Sequence, residues 1–419
     1  YKVGNGRKII SFSDNRQDAA FFAPALSTVY SAVTHRHLIF SAVEAYSKEG
    51  DVPRFDALAN KIRSEAEARL VLDEDFGDLA NKTEVSRWLM REIFSGSRDN
   101  LDALGMVEIY PFISRNIEVP PRFMELGLTE TESFDLIILL LDTLRIHTAV
   151  DFPSEISIDE IAEYRKVQTR FHLQGSHPTL KPWLPGNGSN KRLDLIEKIF
   201  IRRGINSEPK IFLEEIWTQW LTRSESGWEN VLKRASGKDG PTYALNHEMF
   251  EFLIASPEHK PLRCDTCKRL TWRSVSNVCP GYKCTGNVNE VEDFELLRDN
   301  HFYRSYTTGE VFGMRVKEHT AQLTPDAAAQ IQTDFIKGDV NVISTTTTME
   351  LGIDVGEVQA ILMRNIPPSP ANYVQRAGRA GRRSGSAALI VSYARRRSHD
   401  LQYFSDPKRL INGVMPPPI

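Results

Sequence analysis

The sequence predicts an α/β fold: a parallel sheet flanked by helices, interrupted by a large, mostly α-helical insertion and by a small four-cysteine knuckle or ribbon. Three observations carry that expectation. Strand-like and helix-like segments alternate over the last third of the chain, a lone strand and helix of the same character open it, and the stretch between them has helical periodicity without repeated α/β units.

The opening run KIISFS at 8–13 is short, apolar and β-branched, and DNRQDAAFFAPAL after it starts a helix with Asp14 or Asn15 as cap. From about residue 27 to 258 the pattern is mostly helical, with amphipathic segments at 55–70, 83–94 and 156–169. Further helices are expected at 190–201, 210–222 and 227–234, followed by a Gly-Pro turn and strand-like pieces in GPTYALNHEMFEFLI at 240–254. Three helices and a hairpin suit a winged-helix arrangement over 190–255, and they suit an ordinary helical bundle equally. Beyond the cysteines come a strand at 314–318, a helix at 324–336 and strands at 340–344 and 358–363. A helix at 369–380, a strand at 387–393 and a helix from about 398 complete the alternation. Strands alternating with helices imply a parallel sheet with right-handed crossovers, and the opening strand belongs in that same sheet. The expected division is therefore 1–30 for the first strand and helix, 31–259 for the insertion, 260–295 for the cysteine knuckle and 296–419 for the rest of the sheet.

A chain of 419 residues is long enough for two or three domains, and 41% hydrophobic with 26% charged residues is the balance of a globular protein. The net charge of -3 does not advertise a polyanion-binding surface, so any such surface must be local. The longest apolar candidate, 134–141, is too short to span a bilayer, so no membrane partner is expected. The start at Tyr1 has no Met, basic start or cleavage site; we expect no signal peptide, a mid-gene start and a cytoplasmic location. All four cysteines lie between Cys264 and Cys284, too clustered for a disulfide framework, which favours a reducing compartment and a metal.

The most informative stretch is YVQRAGRAGRR at 373–383, where Gln375, Arg376, Arg379 and Arg382 would stack the later arginines along one helical face. Gly378 and Gly381 between them cost about 1 kcal/mol each in a helix and suggest close approach by another body. A planar guanidinium suits the charge on a transferring γ-phosphoryl group. Upstream, NVISTTTTMELGIDVGEVQ at 341–359 is a strand running into a Thr-rich turn, then Gly352 and Asp354. Hydroxyls and backbone N–H groups at a parallel strand's carboxyl end suit nucleic-acid phosphates, Gly352 lets a ligand approach, and Asp354 can bind a ribose hydroxyl or orient the arginines.

These segments resemble motifs IV, V and VI of superfamily-2 helicases, found in the second RecA-like lobe of that family. Motif VI is similar to QRxGRxGR at 375–382, motif V to the pattern of Thr346, Gly352 and Asp354, and motif IV to SFSDNRQDA at 11–19. The resemblance covers about the first 30 and the last 120 residues. It implies a two-lobed motor using ATP with Mg²⁺ in the cleft between lobes. By that likeness Arg379 and Arg382 reach the γ-phosphate, and Gln375 and Arg376 couple the cleft to nucleic acid. Asp354 and Gly352 lie near the ribose, and Ser13, Arg16, Thr346 and Thr347 touch the nucleic-acid backbone. SDNRQDAA, EHTAQL at 318–323, TTTMELGID and the Pro-rich tail resemble large bacterial repair helicases and phage-defence helicases of DISARM and Druantia type. The implied partners are DNA, the N-terminal RecA-like lobe of the same protein and subunits of a defence or repair system.

The cysteines form two close pairs, Cys264 with Cys267 and Cys279 with Cys284, each on a turn furnished by Pro280, Gly281 and Gly286. Four thiolates suit tetrahedral zinc and leave no open position for water, so the metal is expected to be structural. Lys268, Arg269, Trp272 and Arg273 between the pairs could meet a nucleic-acid backbone and a base, or could belong to a solvated finger packed on the lobe by its Trp. His319 reads as a hydrogen-bonded structural residue and Arg395 to Arg397 as a solvated charge run. GNGSNK at 186–191 lacks the phosphate-loop spacing, and no DExH or DExD box follows a strand, so this chain alone is expected to be inactive in ATP hydrolysis. The competing expectation is a non-catalytic module, a degenerate lobe that binds nucleic acid or a partner.

Overall fold

A computed structural model describes all residues except 1, 73–76, 95–97, 115, 158–168, 176–179, 225, 238–239, 292–297, 347–355, 382–386 and 413–419. The chain divides into two compact units: Tyr1–His35, Glu65–Glu74 and Glu310–Ile419 form the first, Arg36–Ser64 and Asp75–Gly309 the second.

The first unit is built on the expected parallel sheet. Its five strands lie in the order Val316–His319, Val342–Thr345, Ile9–Phe12, Ala360–Met363, Leu389–Ser392, and every neighbouring pair is parallel. The first strand in sequence is the central one, with Ile9 opposite Val342 on one side and Ala360 on the other. Strands covered on both faces favour apolar residues on both, which is why IISF and VIST are mostly apolar, with Ser11, Ser344 and Thr345 the buried polar exceptions. Ile10, Phe12, Ile343, Ile361 and Met363 are buried against Phe335, Val340 and Val358, with Ile331 and Tyr373 packed on them. The helix Pro325–Lys337 is capped by Thr324, whose side chain accepts from the Ala327 N–H, and ends at Gly338 in the left-handed conformation.

The expected helix 369–380 is shorter. It spans Pro370–Ala377, with the Ser369 side chain accepting from the Asn372 N–H. The chain then turns, and Gly381, at φ 70°, donates its N–H to the Val358 carbonyl at 3.1 Å. Left-handed backbone explains the glycine at 381, in place of the close approach by another body expected from sequence. Arg376 is on the helix and Arg379 on the turn after it, so these two do not share one helical face; Arg382 lies outside the described residues.

The second unit is less helical than expected. Besides helices such as Gly77–Ile93, Glu130–Ile146 and Lys191–Arg203 it holds three small sheets. Val107–Pro111 pairs antiparallel with Phe250–Ile254, and a four-stranded sheet runs Leu180–Pro182, Arg170–His172, Gly240–Leu245, Leu232–Gly237. The helix expected at 227–234 is instead a turn leading into Leu232–Gly237, which pairs residue by residue with Gly240–Leu245. The strand-like pieces of 240–254 do not form a hairpin with each other: Gly240–Leu245 pairs with Leu232–Gly237, and Phe250–Ile254 with Val107–Pro111. The helix expected at 156–169 falls largely outside the described residues. No described helix is long and apolar enough to cross a membrane.

Candidate nucleic-acid interface and metal centre

In the first unit the parallel sheet brings residues from opposite ends of the chain to neighbouring strand ends. The Ser13 N–H donates to the Thr345 carbonyl at 3.0 Å, which sets Ser13 beside Thr346 at the carboxyl ends of the two central strands. Both are buried, and the Ser13 Oγ finds no hydrogen-bond partner among the described residues. Around them the strand ends are pinned: Ser344 Oγ donates to the Ala19 carbonyl at 2.7 Å and Thr345 Oγ1 to the His319 carbonyl at 2.8 Å. Arg16, the first residue of the following helix, is exposed and makes no hydrogen bond or ion pair among the described residues. Thr347, Gly352, Asp354 and Arg382 lie outside the described residues.

Arg376 lies inside the first unit. Its guanidinium has no exposed surface, donates to Asp14 Oδ1 at 2.6 Å and lies 5.4 Å from the Phe12 ring centroid. Through these contacts Arg376 ties the arginine helix to the loop after the central strand. Asp14 is fixed from the other side by Asn365, whose Oδ1 accepts from the Asp14 N–H at 3.2 Å and whose Nδ2 donates to Asp14 Oδ2. Gln375 beside it is exposed, and Arg379 is buried on the turn. Arg395 is no solvated charge either: it donates to Asp18 Oδ2 at 2.6 Å and to the Arg364 carbonyl at 3.2 Å. Asp400 accepts from the backbone N–H groups of Arg395 and Ile366, gathering the segments after two neighbouring strands. His319 is buried, pairs with the Gln332 amide at 2.9 Å, and burial holds its pKa below the ordinary value, which suits a neutral structural ring.

The latch makes an unequal pair of substitutions. Asp14→Ala removes the carboxylate from a guanidinium that water cannot reach, whereas the Arg376→Met change leaves a carboxylate with 34% of its side chain exposed. We expect Asp14→Ala to cost about 2–3 kcal/mol and Arg376→Met about 1 kcal/mol, discounted for that exposure. Hydrogen exchange of the Ile9–Phe12 amides in urea reads both; equal costs would contradict the latch.

The four cysteines lie in the second unit. The strand Leu262–Cys264 pairs antiparallel with Leu270–Thr271 and with Val288–Glu290, which brings the two cysteine pairs together. Cys264 and Cys284 sulfurs stand 3.7 Å apart, as do those of Cys267 and Cys279, and all four sulfurs lie within 4.8 Å of one another. Disulfide sulfurs would be about 2.05 Å apart, whereas sulfurs about 2.3 Å from a central zinc at tetrahedral angles sit about 3.8 Å apart. The donor set fits that ion. Burial pushes the Cys264 thiol up, but the N–H groups of Cys267 and Thr266, at 3.4 Å from its sulfur, outweigh this and hold it at about 7. Burial pushes Cys279 well up, as four adjacent thiols cannot all ionise without a cation. A Cβ at Gly286 would sit 2.6 Å from the Cys264 sulfur, so this turn requires glycine.

Sequence reasoning missed how the knuckle is held. Lys198, on the helix Lys191–Arg203, donates to the carbonyls of Cys279, Gly281 and Cys284 at 2.8, 2.9 and 3.1 Å. Trp272 donates to Asp102 at 2.7 Å and stacks on His259, while Arg273 pairs with Glu108 and Asp135 and lies over Tyr110. Of the two readings of that loop, Trp272 and Arg273 take the structural one, against the second unit's own residues. Lys268 and Arg269 are exposed.

Residues 280–384 match the helicase conserved C-terminal domain family. Over those residues the chain is similar to the C-terminal, RecA-like lobe of superfamily-2 helicases. It is 38% identical over 200 residues to the Druantia protein DruE of Escherichia coli, a match covering 42% of this chain and 11% of that protein. It is 26% identical over 214 residues to an uncharacterized ATP-dependent helicase of Methanocaldococcus jannaschii, covering 48% of this chain and 30% of that one. The crystal structure of the DUF1998 helicase MrfA bound to DNA and AMPPNP aligns at 27% identity and a TM-score of 0.23, covering 26% of this chain and 16% of that one. The chain thus spans a minor part of the relatives it matches.

Proposed function

We propose that this chain is the C-terminal motor lobe of an ATP-dependent DNA helicase or translocase, the N-terminal RecA-like lobe supplying the phosphate cradle and the Mg²⁺ carboxylate. Arg379 and Arg382 act as arginine fingers, assisted by Gln375, with Gly352 and Asp354 near the ribose. Arg376 positions the arginine segment through Asp14. Ser13, Arg16, Thr346 and Thr347 contact the nucleic-acid backbone, and Cys264, Cys267, Cys279 and Cys284 hold a structural zinc. The observation that carries the reading is the union, in one sheet, of a first strand ending at Ser13 with the strand ending before Thr346, within a chain whose residues 280–384 match the helicase domain. That union gives adjacent strand-end hydroxyls and an exposed Arg16 where a phosphate backbone can be gripped. Bound ATP would supply the γ-phosphoryl group; the chain's own contribution is to place guanidinium charge beside it. Likeness to the Druantia protein DruE supports a Druantia-type system as the setting.

On this reading the chain is inactive alone. Purified, it is expected to hydrolyse ATP at the background rate with or without single-stranded DNA, and to support DNA-stimulated turnover once joined to an ATP-binding lobe. Stimulated turnover by the chain alone would refute the division of labour. No turnover with an intact ATP-binding lobe would favour the non-catalytic binding module.

A further inference from the structure

The second unit contains an open cleft of about 1100 Å³ between the zinc knuckle, the helix Glu130–Ile146 and the 98–110 segment. Seven of its lining side chains are Lys or Arg and three are Asp or Glu, in a chain whose net charge is -3. That surplus exceeds the charge of a zinc held by four thiolates, about minus two, so balancing the metal does not account for it.

The floor of the cleft holds Arg145, buried, whose Nε donates to Asp142 and whose Nη2 donates to Asp102 at 2.6 Å. Its Nη1 has no hydrogen-bond partner among the described residues. An orphaned guanidinium nitrogen is a costly group to bury, and in a cleft it marks a place for an acceptor. Beside it, the Lys191 ammonium meets Asp142 only at 4.0 Å. Burial holds Lys191 below its ordinary pKa; Asp142 offsets this, and Arg269, Arg145 and Arg192 add to it. At the rim, Arg98, Arg263 and Arg269 are exposed, and their side chains make no hydrogen bond or ion pair among the described residues. Tyr282, 47% exposed, presents an aromatic ring on the same lining.

We infer that this cleft binds single-stranded nucleic acid, with phosphates over Arg145, Lys191, Arg263 and Arg269 and a base against Tyr282. Guanidinium and ammonium groups interleaved with an exposed aromatic are the elements of sequence-tolerant strand binding. The cleft exceeds the roughly 300–1,000 Å³ of small-molecule pockets and is open, which favours a strand over a free nucleotide. The inference does not require the motor reading, since every residue in it belongs to the second unit.

The test uses the zinc-loaded chain and a labelled oligothymidine of about 12 nucleotides, followed by fluorescence anisotropy across a salt series. Arg263→Glu with Arg269→Glu is expected to weaken binding at least about tenfold at low salt. It should also reduce the slope of log affinity against log salt by about 1.4, at about 0.7 per single-strand phosphate contact. Zinc content and thermal unfolding are measured beside it. Should the double variant lose zinc, Arg98→Glu, outside the knuckle, is read the same way, with a several-fold loss expected. Unchanged binding by a folded variant overturns the inference, as does a loss seen only with Arg16→Glu in the first unit, which would leave the motor reading standing. Displacement of the strand by inorganic phosphate or AMP at equal phosphate concentration would assign the cleft to a free anion and overturn it too.

Discussion

Cys264→Ser is expected to empty the metal centre and unfold the knuckle, lowering bound zinc from about one per chain to below about 0.1. The knuckle's buried cluster is Cys264, Cys279 and Val288, with Leu262 and Cys284 packed on it. Most of that cluster is sulfur, and so small an apolar core cannot offset the entropy of ordering its turns. Structural zinc in comparable finger peptides contributes about 10–16 kcal/mol of apparent binding free energy at neutral pH. The consequences spread, because the carbonyls that accept from Lys198 and the loop that carries Trp272 and Arg273 are fixed by the same turns. Elemental analysis with hydrogen exchange over 262–290 checks this. Full zinc occupancy in the variant, or unchanged protection of those strands, would contradict it. Since the ligands must be thiolates, zinc affinity should also fall as pH is lowered.

Parts of this were legible in the sequence for physical reasons that can be named. Strands buried on both faces favour apolar residues on both, so IISF, VIST and AILM announced a parallel sheet, and the opening strand could be assigned to it across the long insertion. The cysteine spacing foreshadowed four converging sulfurs because tight turns at Gly281 and Gly286 fix each pair locally. What failed was whatever depended on a distant partner. Residues 227–234 looked helical by their own pattern, and the last of them joined the strand Leu232–Gly237 because Gly240–Leu245 pairs with it. Arg376 stood out by motif, but its ion pair was not legible, because its partner Asp14 stands at the other end of the chain. Arg395 was taken for a solvated charge because nothing local hints at Asp18. Lys198 lies on an unremarkable amphipathic helix, and three carbonyls as its partners leave no mark in sequence.

Glycine at 381 shows both sides of this. Its position between arginines drew notice, but the reason is a left-handed turn closing onto the Val358 carbonyl. The turn ends the helix at Ala377 and sends Arg379 into a backbone environment separate from Arg376. The two arginines therefore divide their work in the proposed motor. Arg376 is spent inside the lobe, holding the arginine segment to the loop after the central strand, and its loss should act on stability. Arg379, on the turn, is the candidate finger, and its loss should act on rate. A finger contributes about 10³ to 10⁵ in turnover because the charge it meets develops fully only in the transition state.

The most direct measurement is DNA-stimulated ATP turnover by the protein that joins this lobe to its ATP-binding partner, comparing Arg379→Ala with the unaltered protein alongside single-strand affinity. The expected result is a loss of about 10³-fold or more in turnover with DNA affinity kept within about threefold, since strand contacts lie elsewhere. Turnover preserved in Arg379→Ala, with the lobe still folded, would contradict the assignment of this lobe as the arginine-donating wall of an ATP site.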